Sequence, residues 1–179
     1  MKNKGCTSAT ILAAVVMTLL ATSAFAQAGG PGMRRPNFNV VPAITADQAV
    51  QVVKTSFSRL EVGRFWVLTG PAGDTKAKVA LSLDGRIVSQ VELSPSTGEI
   101  LAKGEAIQTD VASPDPNRAA SKVREALPNL QVAAARVTPE GEWSVELALN
   151  SAVVAEISVN GRDGSIITDW GASREATLY

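Results

Sequence analysis

Two stretches of the chain alternate apolar and polar residues with the period of a pleated strand, and they do so in step with each other. Residues 79–101 (VALSLDGRIVSQVELSPSTGEIL) lie over residues 145–167 (VELALNSAVVAEISVNGRDGSII) without a gap, sixty-six positions apart. Identities fall at Val79, Leu81, Leu83, Val88, Gly98 and Ile100. The inward-type positions stay apolar in both copies: Val79/Val145, Leu81/Leu147, Leu83/Leu149, Ile87/Val153, Val91/Ile157 and Leu93/Val159. That pattern predicts strands with one buried face. Asp84-Gly85 and Asn150-Ser151 interrupt it as tight hairpin turns, the first with the stronger signature.

Upstream of each stretch the apolar period changes to that of a helix. Val50, Val53 and Phe57 recur at helical spacing in the first, Ala120, Val123 and Leu127 in the second, and Leu60 and Leu130 follow them. Thr45 and Gln48 form a Thr-x-x-Gln capping box, and Asp115 before Pro116 places a capping acid ahead of proline at the first helical position. The helices match at a spacing of seventy rather than sixty-six. The difference is expected in the first hairpin, whose turn, 70–74, is longer than the second's, 139–141.

Together these patterns predict an α+β chain of two tandem repeats, each helix-strand-strand-strand-strand with one helix packed on its small antiparallel sheet. The predicted strands are 64–69, 76–83, 86–93 and 99–103, then 133–138, 142–149, 152–159 and 165–170. Repeat 1 spans 43–108, a linker 109–114, repeat 2 115–172 and a tail 173–179. A unit of roughly 55–60 residues without disulfides has a thin core. The two copies are therefore expected to pack on each other, or a partner to cover each sheet.

The N-terminus has a different grammar. Lys2 and Lys4 precede an apolar run from Ile11 to Ala21, and Ala24-Phe25-Ala26 follows. Basic, apolar and small-residue regions in that order predict a signal peptide over 1–26, hence a periplasmic or secreted protein without stable membrane insertion after cleavage. The run is shorter than the ~20 apolar residues that a spanning helix needs. Residues 27–42 (QAGGPGMRRPNFNVVP) read as a flexible leader; its Arg34-Arg35 pair reads as solvated, with contact to an acidic partner or membrane surface as the alternative.

Composition narrows the chemistry. The 179 residues carry 17 basic and 17 acidic side chains, 45% hydrophobic and 4% aromatic residues. There is no histidine, and the only cysteine is Cys6, so histidine triads, histidine zinc sites and thiolate chemistry all lack their groups. Without Lys2 and Lys4 the balance is 15 basic to 17 acidic, and no basic stripe supports nucleic-acid binding.

No residue is assigned a catalytic, cofactor-binding or metal-binding role. Gly98 and Gly164 read as structural turns needing positive φ. Asn160, Asp163 and Asp169 do not match a calcium loop and read as solvated turn residues. Glu140 and Glu142 sit on a hairpin, where no desolvation would raise a carboxyl pKa. Trp143 shares the register of Val145 and Leu147 and reads as core. Trp66 and Trp170 are candidate interface residues, with core packing as the alternative for each.

Ile44-Thr45-Ala46-Asp47-Gln48-Ala49 and, later, residues 91–101 (VELSPSTGEIL) resemble the PepSY domain family. Its pattern opens Ile-Ser/Thr-x-x-x-Ala and closes apolar-x-apolar-Asp-x-x-Thr-Gly-Glu-apolar-apolar. Ser94 stands where the family has aspartate, and the second copy keeps only Gly164 of the Thr-Gly-Glu turn. The resemblance implies an extracytoplasmic, noncatalytic α+β module acting on peptidases. The expectation is a protein-binding module whose partner is another envelope protein, a peptidase or a sensor. The alternative is an envelope protein that senses a small molecule or cation.

Overall fold

The computed structural model describes residues 40–70, 73, 75–105 and 115–178. The predicted signal peptide, most of the leader with Arg34-Arg35, and the 109–114 linker lie outside the described residues. The fold is α+β. Helix α1 (Ala46–Ser56) is followed by strands β1 (Leu60–Thr69), β2 (Thr75–Leu83) and β3 (Arg86–Leu93). Helix α2 (Pro116–Ala126) is followed by β4 (Gln131–Val137), β5 (Trp143–Leu149) and β6 (Ala152–Val159), and helix α3 (Trp170–Leu178) comes last. The strands form two three-stranded antiparallel sheets, β1-β2-β3 and β4-β5-β6.

Local chemistry accounts for the element ends. The Gln48 N–H donates to the Thr45 hydroxyl and the Thr45 N–H to the Gln48 carboxamide, so the capping box closes. Asp115 accepts from the Asn117 N–H ahead of α2. Each of these two helices tightens into one 3-10 turn, Phe57–Arg59 or Leu127–Asn129, before its first strand. The hairpin turns take positive φ at Asp84, Gly85, Asn150 and Ser151.

The expected fourth strand of each sheet is reduced to one bridge, Leu93 to Ile100 and Val159 to Ile166. Gly98 and Gly164, at φ 71° and 76°, turn the chain back immediately before those bridges. After one backbone bond to its own sheet (Leu101 N–H to Glu92, Ile167 N–H to Ser158), each segment crosses to the other sheet. The Lys103 N–H donates to Val153 at 2.7 Å and the Asp169 N–H to Ile87 at 2.9 Å. The predicted strand 165–170 and tail 173–179 therefore give way to a crossing segment and to α3. Asp169 caps that helix by accepting from the Ala172 N–H, and Ala172 and Ala176 form its buried stripe.

A second correction concerns register. β-Bulges interrupt β2–β3 pairing between Leu81 and Ser82 and β5–β6 pairing between Leu147 and Ala148. An extra residue in one strand reverses the faces beyond it. Val88 and Val154 consequently enter the core, whereas Ile87, expected inward, packs on the opposite face beside Trp66 and Ala80.

The helices also do not sit where the simple plan puts them. Helix α1 packs on β4 and β5, and α2 packs on β1 and β2. Each helix covers the sheet of the other half, and a single apolar cluster results: Val53, Val79, Leu81, Val91 and Leu93 join Val123, Val145, Leu147, Ile157 and Val159. Burying one such side chain is worth about 1.5–3 kcal/mol.

β3 and β6 run beside each other without a continuous ladder. The Ser89 hydroxyl stands between them, donating to the Glu156 carbonyl at 2.7 Å and accepting from the Glu156 N–H at 3.3 Å. On the face away from α1 and α2, α3 lies over β1 and β3.

Three segments meet at Gly161. Its carbonyl accepts from the Ala43 and Ile44 N–H groups at 2.7 and 3.0 Å, and its α-carbon abuts the Gly141 carbonyl and Pro42. Residues 40–42, read as leader, thus rest against two turns of the second half. A Cβ on Gly161 would run into the Gly141 backbone oxygen. Gly161→Ala should lower stability by about 1–3 kcal/mol through overpacking, measured as a reduced urea midpoint with unchanged m. Gly104→Ala, where nothing lies within 4 Å of the added atom, has only its φ of 83° to strain it and serves as the backbone control.

Candidate functional site

The outer face of the two sheets, away from α1 and α2, carries nearly all the polar side chains that touch one another across strands. On the first sheet this face bears Trp66, Lys76, Lys78, Gln90 and Glu92. α3 covers its apolar part, placing Ala172 and Ala176 on Trp66 and Ala80. Glu175 descends from the helix and accepts from Lys78 Nζ at 2.8 Å and Trp66 Nε1 at 3.3 Å. Lys76 Nζ donates to Glu92 at 2.6 Å. The Lys78 side chain is only 7% exposed, so its charge depends on these carboxylates.

On the second sheet the same face is acidic. Glu146 and Glu156 are directly paired across β5 and β6, a like-charge arrangement that needs compensation. Arg136 supplies it for Glu146 at 3.0 Å, while Lys103, from the crossing segment, pairs with Glu156, which also accepts from the Ser144 hydroxyl. Beside Glu156 lies an open groove of about 390 Å³ whose walls include Lys103, Glu142, Ser158, Asp169 and Trp170. A smaller cavity of about 100 Å³ at the β3–β6 seam shares Lys103, Glu156 and Asp169 and adds Gln90. The Gln90 carboxamide oxygen is buried there without a hydrogen-bond partner.

The candidate residues divide on this frame. Trp170 is 75% exposed at the start of α3 and is one of the residues lining the groove. Trp66 is 2% exposed beneath α3, so it packs and offers no surface. The Trp143 indole N–H donates to the Ile44 carbonyl at 3.1 Å while its ring packs on the core edge. Gly98 and Gly164 are positive-φ turn glycines and do not line the groove. No family model, no curated protein and no solved structure matches the chain.

Asn160, Asp163 and Asp169 are spent on local backbone. Asn160 accepts from the Arg162 N–H, and Asp169 caps α3. Asp163 accepts from the Ser165 N–H at 2.8 Å and the Ser165 hydroxyl at 2.7 Å, and these two donors hold its carboxyl below the ordinary aspartate value. Among the described residues no three acidic groups are disposed to hold a metal ion, and no helix is long and apolar enough to cross a membrane.

The sequence reading missed Lys78, Ser89, Lys103, Glu156 and Glu175. Ser89 had a visible signal, because it faces Ala155 in the alignment, a polar residue at a position the second copy leaves apolar. Ala172 and Ala176, four apart behind Asp169, were the signal for α3.

Two outcomes follow. Glu175→Ala leaves Lys78 buried with Glu92 only at 3.8 Å, and should cost about 1–3 kcal/mol in chemical denaturation while shifting Trp66 emission to the red as α3 loosens. Ser165→Ala should raise the Asp163 pKa towards its ordinary value in an NMR carboxyl titration. Because the folded-state pKa is depressed, the associated stabilisation is complete above the unfolded value and fades as pH falls through the folded one, so the variant loses stability near neutrality.

Proposed function

We propose that this chain is a noncatalytic, extracytoplasmic protein-binding module, built from two tandem PepSY-like halves and acting in trans on a peptidase or sensor of the envelope. Support for the duplication comes from backbone hydrogen bonds that recur sixty-six residues apart. Ser94 N–H to Glu99 is matched by Asn160 N–H to Ser165, and Gly98 N–H to Ser94 by Gly164 N–H to Asn160. Lys103 N–H to Val153 is matched by Asp169 N–H to Ile87, each half reaching into the other. The β2–β3 and β5–β6 bulges keep the same spacing. The extracytoplasmic location rests on the signal-type order of residues 1–26, and the peptidase connection on the motif resemblance.

The observation that carries the binding role is Trp170. A large indole left 75% exposed at the mouth of a groove, when the other two tryptophans are packed or hydrogen-bonded, is the kind of residue that dominates protein interfaces. A module that senses a small ligand is the second reading, favoured by the unpartnered Gln90 oxygen at the seam cavity.

Immobilised full chain and its Trp170→Ala variant, shown to melt alike, should be compared for retention of envelope proteins. The expected result is a retained peptidase or sensor bound about tenfold or more weakly by the variant. Equal retention would remove Trp170 from the interface, and retention of no envelope component by either chain would overturn the reading. A melting temperature raised by a cell-wall fragment or small solute in place of any retained protein would favour the second reading.

A further inference from the structure

The two outer sheet faces differ in charge at matching positions. On the first, Lys76 pairs with Glu92 and Lys78 with Glu175 of α3. Sixty-six residues on, Lys76 becomes Glu142, Lys78 becomes Ser144, Ala80 becomes Glu146 and Gln90 becomes Glu156. The first face is thus basic and holds an acid-bearing helix. The second has an acid in place of Lys76 and two more where the first has Ala80 and Gln90, while Glu92 gives way to Ser158 and α3 packs on β1 and β3. Beside it opens the groove of about 390 Å³ with Trp170 at its mouth.

Resting on the binding-module reading and naming its partner's chemistry, we infer that the groove on the outer face of β5 and β6 receives a lysine- or arginine-bearing segment of a partner protein. The groove lining holds Glu142, Glu156 and Asp169 against one base, Lys103. Glu142 forms no ion pair among the described residues, whereas Lys103 is already engaged by Glu156. An incoming cation meets, among the lining residues, a carboxylate without an ion pair and the exposed Trp170. Indole face and carboxylate together suit a long cationic side chain, the first through its ring quadrupole and the second through charge-assisted hydrogen bonds. Among the described residues no three acidic groups are disposed to hold a metal ion, so these carboxylates fit a cationic side chain better than a metal.

The test uses the full chain and two labelled fifteen-residue alanine-based helical peptides, one with three lysines along a face and one with three glutamates there, read by fluorescence anisotropy. The lysine peptide should bind at low salt, lose affinity steeply in 0.5 M salt as expected for exposed charges, and outbind the glutamate peptide at least tenfold. Glu142→Gln with Trp170→Ala should weaken it roughly tenfold, in line with loss of one cation–π contact and one exposed ion pair. Glu61→Gln with Glu125→Gln, which removes two acids that do not line the groove, should leave affinity unchanged. Equal binding of the two peptides, or equal loss in the groove and remote variants, overturns the inference. So does an envelope partner retained equally by wild type and Glu142→Gln, which leaves the binding-module reading standing.

Discussion

Each sheet presents one apolar face too small to form a core alone, and the chain meets that constraint by exchange. α1 covers β4 and β5, and α2 covers β1 and β2. Neither half can then bury its valines and leucines without the other, and the twenty buried side chains of the shared cluster form one core. A six-stranded arrangement with two helices on one side gives a core of ordinary thickness for a chain of this length, which a separate helix and three strands do not reach.

The seam follows from that exchange. Once the helices hold the two sheets edge to edge, the inner edges of β3 and β6 must have their backbone groups satisfied. A continuous ladder is not formed. The Ser89 hydroxyl supplies both a donor and an acceptor to Glu156, and the crossing segments contribute Lys103 N–H to Val153 and Asp169 N–H to Ile87. These crossing segments begin as one-residue bridges to their own sheets, which is why the anticipated fourth strands stop short. They also deliver Lys103 and Asp169 to the outer face, so the groove exists because of how the seam is closed.

The halves part company on that outer face. One is sealed by α3 through two alanines, Trp66 and the Lys78–Glu175 pair; the other bears Glu142, Glu146 and Glu156. The chain thereby presents two chemically different outer surfaces, with Trp170 on the boundary between them. The inner face tolerates only volume-conserving change, because close packing penalises both voids and excess. Side chains on the outer face escape that restriction, and the difference in charge between the two sheets lies there.

The sequence by itself determined two capped helices, six of the eight strands it predicted, the turns at Asp84-Gly85 and Asn150-Ser151, the positive φ of Gly98 and Gly164, and the spacing of sixty-six, since each is a matter of local propensity and period; α3 and the shortened fourth strands were outside its reach. Tertiary structure alone decided which helix covers which sheet, because the apolar stripes of α1 and α2 are near equivalents and neither carries the name of its partner. It also decided the fate of Trp66 and Ile87, whose faces depend on bulges and on a nine-residue helix too short to hold itself together without the sheet beneath it. The groove belongs to this second class, since Glu142, Glu156 and Trp170 are separated along the chain and meet only after the two halves have interlocked.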